Sequence, residues 1–177
     1  MGTMTTFQLH YTDDEDRAYG LAGMAISVAS LDALDRITEV FLDSDGPMVA
    51  FAHPYFYSQS PAVSPKAVWN NLMSNLQLTT SLALGNVMAR SLVRNRKEAG
   101  REVFEKLRNV VREEGMEYCQ LDAEEADAVF DNMLRHSLRL FNNPRLHPAV
   151  RELAGILALK RRLNVFELAE ELELLRI

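Results

Sequence analysis

The fold of this chain depends on residues 65–87, which read PKAVWNNLMSNLQLTTSLALGNV. Pro65 follows Ser64, and proline is favoured at the first position of a helix that a serine caps. Apolar residues then recur at three- and four-residue intervals, which places them on one helical face. They are Trp69, Leu72, Met73, Leu76, Ala83, Leu84 and Val87. We therefore predict a long helix whose apolar wall is the spine on which the other segments pack.

A second face of the same helix carries small residues. Ser74, Ser81 and Gly85 recur at helical spacing there. Small side chains let a neighbouring backbone come close, so we expect another helix to pack tightly against this stripe.

The far end of this helix must break or bend. A continuous helix from Pro65 to Glu114 would be about 75 Å long, whereas a compact domain of this size has a radius of gyration of about 16 Å. The next apolar set, from Ala99 to Val111, also lies nearly opposite the wall if the helix continues. We expect the break between Leu92 and Gly100.

Other segments show the same periodicity together with capping residues. They begin near Asp13, Asp122, Pro148 and Asn164, and a further helix follows the break and carries the apolar set from Ala99. Asp122 and Glu125 have the spacing of a capping box, and Gly115 is the expected end of the helix that follows the break. We predict a mainly α fold, a compact helical bundle of about five or six helices, forming a single domain over residues 1–177.

Residues 32–57 fit two local structures. Their first part continues a helical spacing, but residues 38–42 and 48–51 also flank Asp45–Gly46, a pair typical of hairpin turns. We favour a helix for the first arm and an extended strand for the second. Residues 7–11 alternate between apolar and polar, which is typical of a strand. The sequence thus predicts a small β element within the first 60 residues.

Composition narrows the class of protein. The chain has 177 residues, a net charge of −6 and 47% hydrophobic residues, an ordinary globular balance. Its one cysteine, Cys119, cannot form an internal disulfide, which favours a reducing compartment such as the cytoplasm. Residues 1–11 lack the features of a signal peptide. The uncharged stretch 67–89 contains five amide side chains, so we expect no membrane span.

The sequence contains no recognisable catalytic or metal-binding motif. None of its histidines has a glutamate three residues before it, as di-iron bundles require, and there is no cysteine pair. Phosphate-binding glycine loops and nucleophile elbows are also absent. Cys119 lies among acidic residues that disfavour its thiolate. We expect no catalytic residues, no metal and no cofactor.

A basic stripe is the sharpest local feature. Arg90, Arg94, Lys97 and Arg101 follow one another at intervals of four, three and four, which would align them on one helix. Aligned cations need a negative partner: the acids at 13–16 or 113–131, an acidic partner chain, or an anion such as phosphate. The intervening glutamates and the lack of interleaved aromatic residues disfavour nucleic acid.

A second candidate site is the aromatic segment around His53, Tyr55 and Tyr57. Rings with polar tips beside an irregular loop can line a small-molecule pocket, although they can equally close one end of a bundle.

The predicted function is that of a non-enzymatic protein-interaction or regulatory protein with a protein partner or self-association. The amphipathic C-terminal helix after Asn164 is an expected docking element. One alternative is the binding of an anion or nucleic acid through the basic stripe. The other is a small-molecule or enzymatic pocket at residues 53–57.

Overall fold

The computed structural model describes residues 10–43, 48–52 and 65–177, and within these ranges the chain is mainly helical. The helices are α1 (Asp14–Ser30), α2 (Pro65–Met88), α3 (Arg101–Cys119), α4 (Ala123–Phe141), α5 (His147–Lys160) and α6 (Val165–Leu174). The strands are β1 (Ile37–Phe41), β2 (Val49–Phe51) and β3 (Arg162–Asn164). The predicted fold class, a compact mainly helical bundle with a small β element, is confirmed.

Helix α2 is the spine of the structure, with an apolar cluster on each side. The predicted wall faces the cluster that α3 and α4 complete, where Leu76, Leu84 and Val87 are buried. The opposite side contributes Leu78 and Leu82 to a larger cluster formed with α1, α5, α6 and the sheet. The wall was therefore predicted correctly, whereas the second buried side was not.

The stripe of small residues on α2 is the place where α1 crosses it. A Cβ atom added to Gly85 would lie 2.0 Å from Ser27 Oγ and 2.5 Å from the carbonyl oxygen of Gly23. Both distances are well below a normal contact of about 3.5 Å. The two backbones thus touch at this crossing, as the stripe predicted.

The break after α2 also lies where it was expected. A π-helical turn, Ala89–Arg94, continues α2, and the chain then leaves the helix before α3 begins at Arg101. Arg96 has a left-handed backbone, with φ of 52°, which non-glycine residues adopt at a cost. This reversal brings α3 back alongside α2.

The expected end of α3 at Gly115 is wrong. The helix continues to Cys119 and ends at Gln120, which has a left-handed backbone. Gly115 instead lies inside the helix, where an added Cβ would be 3.1 Å from Ala126 Cβ. The glycine is thus explained by close packing against α4. By contrast, the capping box of Asp122 and Glu125 is confirmed.

The first arm of residues 32–57 is a strand, so the preference for a helix there was wrong. After a 3₁₀ turn at Leu34–Arg36, β1 pairs antiparallel with β2 on one side and β3 on the other. Val40 pairs with Leu163, and both side chains are buried. Backbone pairing on both edges outweighs the helical spacing of the side chains. The Asp45–Gly46 turn and residues 7–9 of the predicted first strand lie outside the described residues.

Across the described ranges, no helix combines the length and the apolar character needed to cross a lipid bilayer.

Candidate functional site

The first half of the basic stripe pairs with the acidic first turn of α1. Arg90 makes a bidentate contact with the buried Asp16: Nε donates to Oδ1 at 2.9 Å and Nη2 to Oδ2 at 2.6 Å. The Thr12 backbone N–H also donates to this carboxylate. Burial by itself raises the pKa of Asp16. The hydrogen bonds from Arg90 and Thr12, together with the charges of Arg90 and Arg94, outweigh burial, so the net pKa is lowered. The carboxylate is therefore held in its charged form.

Aromatic and amide groups complete the surroundings of Arg90. Its guanidinium lies 4.6 Å from the ring centroid of Tyr11, close enough for a cation–π contact. Asn86 Nδ2 donates to the Tyr11 hydroxyl at 2.9 Å. Arg90 Nη2 also donates to the His10 carbonyl oxygen at 2.6 Å. With these contacts Arg90 is a structural residue that ties α2 to the start of α1.

Two more arginines neutralise the same turn of α1. Arg94 Nη2 lies 2.8 Å from Asp13 Oδ2 and 3.3 Å from Glu15 Oε2. From the loop between α5 and β3, Arg161 reaches both Asp14 and Asp43. The internal acids at 13–16 are thus the negative partner of Arg90 and Arg94.

The second half of the stripe is arranged differently, because the helix ends at Arg94. The alignment of all four cations on one helix is therefore wrong. Lys97 lies in the connection before α3. The Arg101 side chain is 91% exposed and bonds only to Glu105 Oε1 in its own helix, at 2.9 Å. Anion binding by the stripe as a whole stays a prediction.

A surface cleft of about 370 Å³ lies where the connection between α2 and α3 meets the start of α5. Its lining residues are Leu92, Arg96, Lys97, Glu98, Asn142, His147 and Arg151. Within the described ranges, Arg96, Lys97 and Arg151 form no ion pair. The cleft thus gathers three unpaired cations beside a single acid.

Sequence reasoning singled out Lys97 but did not anticipate this cleft. Arg151 lies on α5, 54 residues after Lys97, and no local spacing links the two. The only feature of the sequence that pointed to this region was the run of charges between α2 and α3. Folding of α5 against the π-helical turn brings the cations together.

His147 forms one edge of the cleft in a fixed orientation. Its Nε2 lies 2.7 Å from the carbonyl oxygen of Phe141. Because a carbonyl only accepts hydrogen bonds, Nε2 carries a hydrogen in this contact. The imidazole therefore links the end of α4 to the first turn of α5.

A serine–histidine contact links α1 to α4. Ser30 Oγ lies 2.9 Å from His136 Nε2 and 2.8 Å from the carbonyl oxygen of Ser27. The single hydroxyl hydrogen goes to the carbonyl, so Oγ accepts from the imidazole.

Cys119 is buried at the end of α3. Burial, followed by the nearby carboxylate of Glu114, raises the pKa of its thiol to about 11. The thiolate is therefore disfavoured at neutral pH, in agreement with the sequence argument. Trp69 on α2 contacts the same residue, since its Nε1 donates to the Cys119 carbonyl oxygen at 3.3 Å.

The carboxyl group of Glu114 is also buried, and its Oε1 has no hydrogen-bond partner. Burial raises its pKa to about 7, with further contributions from Glu117 and Glu113. An isolated buried carboxylate is costly, so this group takes up a proton near neutral pH.

Helix α6 is apolar on two opposite sides. Leu168 and Leu172 are buried against the core, whereas Phe166 is 79% and Leu174 78% exposed. At about 100° per residue, the two exposed side chains lie on the face opposite the buried pair, with Glu170 between them. The outer side of α6 thus presents two exposed apolar side chains about two turns apart.

The structure does not test the pocket predicted around the aromatic segment. His53, Tyr55 and Tyr57 lie outside the described residues. In the described part of the chain, no three His, Cys, Asp or Glu side chains are grouped so that they could hold a metal ion.

Comparison with known proteins gives no functional assignment, because no protein-family model and no curated protein matches the chain.

Proposed function

We propose that this protein is a non-enzymatic interaction protein that inserts the outer face of α6 into an apolar groove on a partner protein. The observation that carries the proposal is the exposure of Phe166 and Leu174 on the side of α6 that faces away from its own core. Leu168 and Leu172 already anchor the helix from the other side. The exposed pair is therefore free for an intermolecular contact.

Burial of these two side chains would supply a useful binding energy. A fully buried Leu or Phe side chain gains about 1.5–3 kcal/mol relative to an exposed one. Phe166 and Leu174 are eight residues apart, which is two helical turns and matches the way amphipathic helices dock into grooves. Because α6 is already folded and capped by Asn164, binding would not have to pay for helix formation.

The charges on this face define the partner's chemistry. Glu170 lies between the two apolar side chains, and Glu167 and Glu173 flank them on the same side of the helix. In such a contact Glu170 lies near the centre and needs a lysine or arginine of the partner opposite it. Glu167 and Glu173 lie at the edge, where basic residues of the partner are complementary to them. The partner is thus expected to offer an apolar groove with a basic residue opposite Glu170 and a basic rim.

Self-association through α6 fits this face less well. A twofold axis that relates two copies of the Phe166–Leu174 face would pass near its midpoint, Glu170. The two Glu170 carboxylates would then face each other in the centre of the contact, which is unfavourable. A different protein is therefore the favoured occupant, and the single cysteine supports a reducing compartment such as the cytoplasm.

The test begins with a photo-reactive amino acid in place of Glu173, introduced in the protein's own host. The captured protein is then purified and titrated against wild-type protein and a Phe166→Ala/Leu174→Ala variant. We expect the double variant to bind at least about tenfold more weakly. Met116→Ala, which truncates an exposed apolar side chain on α3, is the matched control and should bind like wild type.

Two results would overturn the proposal. One is equal affinity of the captured protein for wild type and the double variant. The other is an adduct that contains only a second copy of the chain, with a dimer in light scattering that the double variant abolishes. Since both altered side chains are exposed, their truncation should change the free energy of unfolding by no more than about 0.5 kcal/mol. A loss of binding would thus not reflect misfolding.

A further inference from the structure

We propose that the cleft between the α2–α3 connection and the start of α5 binds a small phosphate monoester, a function separate from docking through α6. The cleft is lined by Arg96, Lys97 and Arg151, with Glu98 as its only acid. A net positive charge confined to a concave surface concentrates anions from solution.

The three cations of this cleft differ from Arg90 and Arg94 in having no ion-pair partner among the described residues. Arg90 and Arg94 are paired with the acids of α1, whereas Arg96, Lys97 and Arg151 form no ion pair in the described part of the chain. Like charges held in one cleft repel one another, and a bound anion relieves that repulsion. A phosphate in the cleft would therefore meet three cations that are not already neutralised by a neighbouring carboxylate.

The backbone that presents Arg96 and Lys97 is held in place. The N–H of Asn95 donates to the carbonyl oxygen of Arg90 at 3.1 Å, and the N–H of Lys97 donates to that of Ser91 at 3.0 Å. Between them Arg96 adopts a left-handed conformation, which is common where a helix ends. The π-helical turn Ala89–Arg94 precedes this segment, and such turns are frequent at functional sites.

The side of the cleft formed by α5 is also positively charged. His147 and Arg151 belong to the first turns of α5, and the start of a helix carries a partial positive charge. The side-chain amide of Asn142 provides a further hydrogen-bonding group at the cleft. Positively charged and amide side chains thus line the cleft from two separate segments.

The size and composition of the cleft define the ligand class. Its volume of about 370 Å³ is near the lower limit of small-molecule sites, which span about 300–1,000 Å³. Leu92 is the only large apolar residue in the lining, so the ligand is mainly polar. Arginine forks match phosphate oxygens in a bidentate manner. A strand of nucleic acid would need a longer groove that follows several phosphates.

The binding experiment uses full-length protein and a panel of probes: glucose 6-phosphate, glycerol 3-phosphate, inorganic phosphate and a phosphoserine peptide. Amide resonances of the isotope-labelled protein are followed at probe concentrations up to about 10 mM, which detects even millimolar affinity. We expect at least one sugar or glycerol phosphate to shift resonances of residues 96–98, 142, 147 and 151 in a saturable manner.

Paired variants separate the cleft from the stripe. Lys97→Ala/Arg151→Ala should weaken binding of the active probe by about tenfold or more, because two charge-assisted contacts are lost. Arg101→Ala removes an exposed cation of the stripe outside the cleft and should leave the affinity unchanged. Both altered residues of the double variant are exposed, and unchanged resonances in the core would show that it is folded.

Four outcomes would overturn the proposal. They are no saturable shift with any phosphate ester, equal affinity of wild type and the double variant, tighter binding of inorganic phosphate than of any ester, and tighter binding of the phosphopeptide. The third would indicate a site for the free ion, and the fourth a site for a phosphorylated protein. Failure of the α6 docking experiment would leave this result unaffected, since no residue is shared between the two surfaces.

Discussion

The contact between α1 and α2 at Gly23 and Gly85 predicts opposite effects for the same substitution at two sites. A Cβ added to Gly23 would lie 2.1 Å from the Gly85 carbonyl oxygen and 2.6 Å from Ala89 Cβ. Around Gly155, in the exposed middle of α5, an added Cβ would meet no atom within 4 Å. Gly23→Ala and Gly155→Ala are therefore a matched pair within helices.

The magnitudes follow from packing and helix propensity. Alanine is favoured over glycine in a helix interior by about 1 kcal/mol, so Gly155→Ala should raise the free energy of unfolding by about that amount. At Gly23 the nearest atom is backbone and cannot rotate away, so the helices must separate. Overpacking of this severity costs about 3 kcal/mol, which leaves a net loss of about 2 kcal/mol after the propensity gain of about 1 kcal/mol.

The assay is thermal and urea unfolding of the two variants beside wild type. For a chain of this size, 1 kcal/mol corresponds to about 2–4 °C in Tm. Gly155→Ala should thus raise Tm by about 2–4 °C, and Gly23→Ala should lower it by about 4–8 °C. If Gly23→Ala were as stable as Gly155→Ala, the two helices would not touch at this point, and the account of α2 as a spine packed on both sides would be wrong.

Three further predictions concern buried ionisable groups. Arg90→Ala leaves the Asp16 carboxylate buried without its arginine, so it should lower the free energy of unfolding measured in urea by about 3–5 kcal/mol. Arg101→Ala should change it by less than about 0.5 kcal/mol. Similar losses for the two variants would contradict the role of Arg90 as the partner of buried Asp16. Because the pKa of Glu114 is raised from 4.5 to about 7, its protonated form stabilises the fold at low pH, and this stability is lost as pH rises through about 7. Between about pH 4 and 9 the free energy of unfolding should fall by up to about 3 kcal/mol through this group. Glu114→Gln should remove this pH dependence. Cys119 should react slowly with a thiol reagent in native protein and rapidly in urea, because it is buried and its pKa is about 11; equal rates would place the thiol at the surface.

Features that depend on near neighbours in the chain were predictable. The capping box of Asp122 and Glu125 and the cap at Asn164 were both found where expected. The apolar wall of α2 was also correct, because helical spacing determines which side chains share a face. Trp69 is the exception, since 46% of it is exposed, and the spacing alone does not say how far the packing of α3 and α4 extends along α2.

The candidate sites were less predictable than the fold. The spacing of the stripe predicts a single helical face, but the chain leaves the helix after Arg94. Arg90 and Arg94 then find acids at the start of α1, whereas Lys97 meets Arg151 across the cleft. Charge spacing along a chain indicates which residues are close only while the assumed helix continues.

The sequence by itself determined that the chain forms helices, where most of them begin, and which side of α2 faces the cluster of α3 and α4. Tertiary structure alone decided that β3 pairs with β1 and that Gly115 packs inside α3. It also decided that α6 exposes a second apolar face. The physical reason is range: caps and helical periodicity arise within one or two turns, whereas strand pairing, close packing and charge neutralisation join residues that are far apart in the chain.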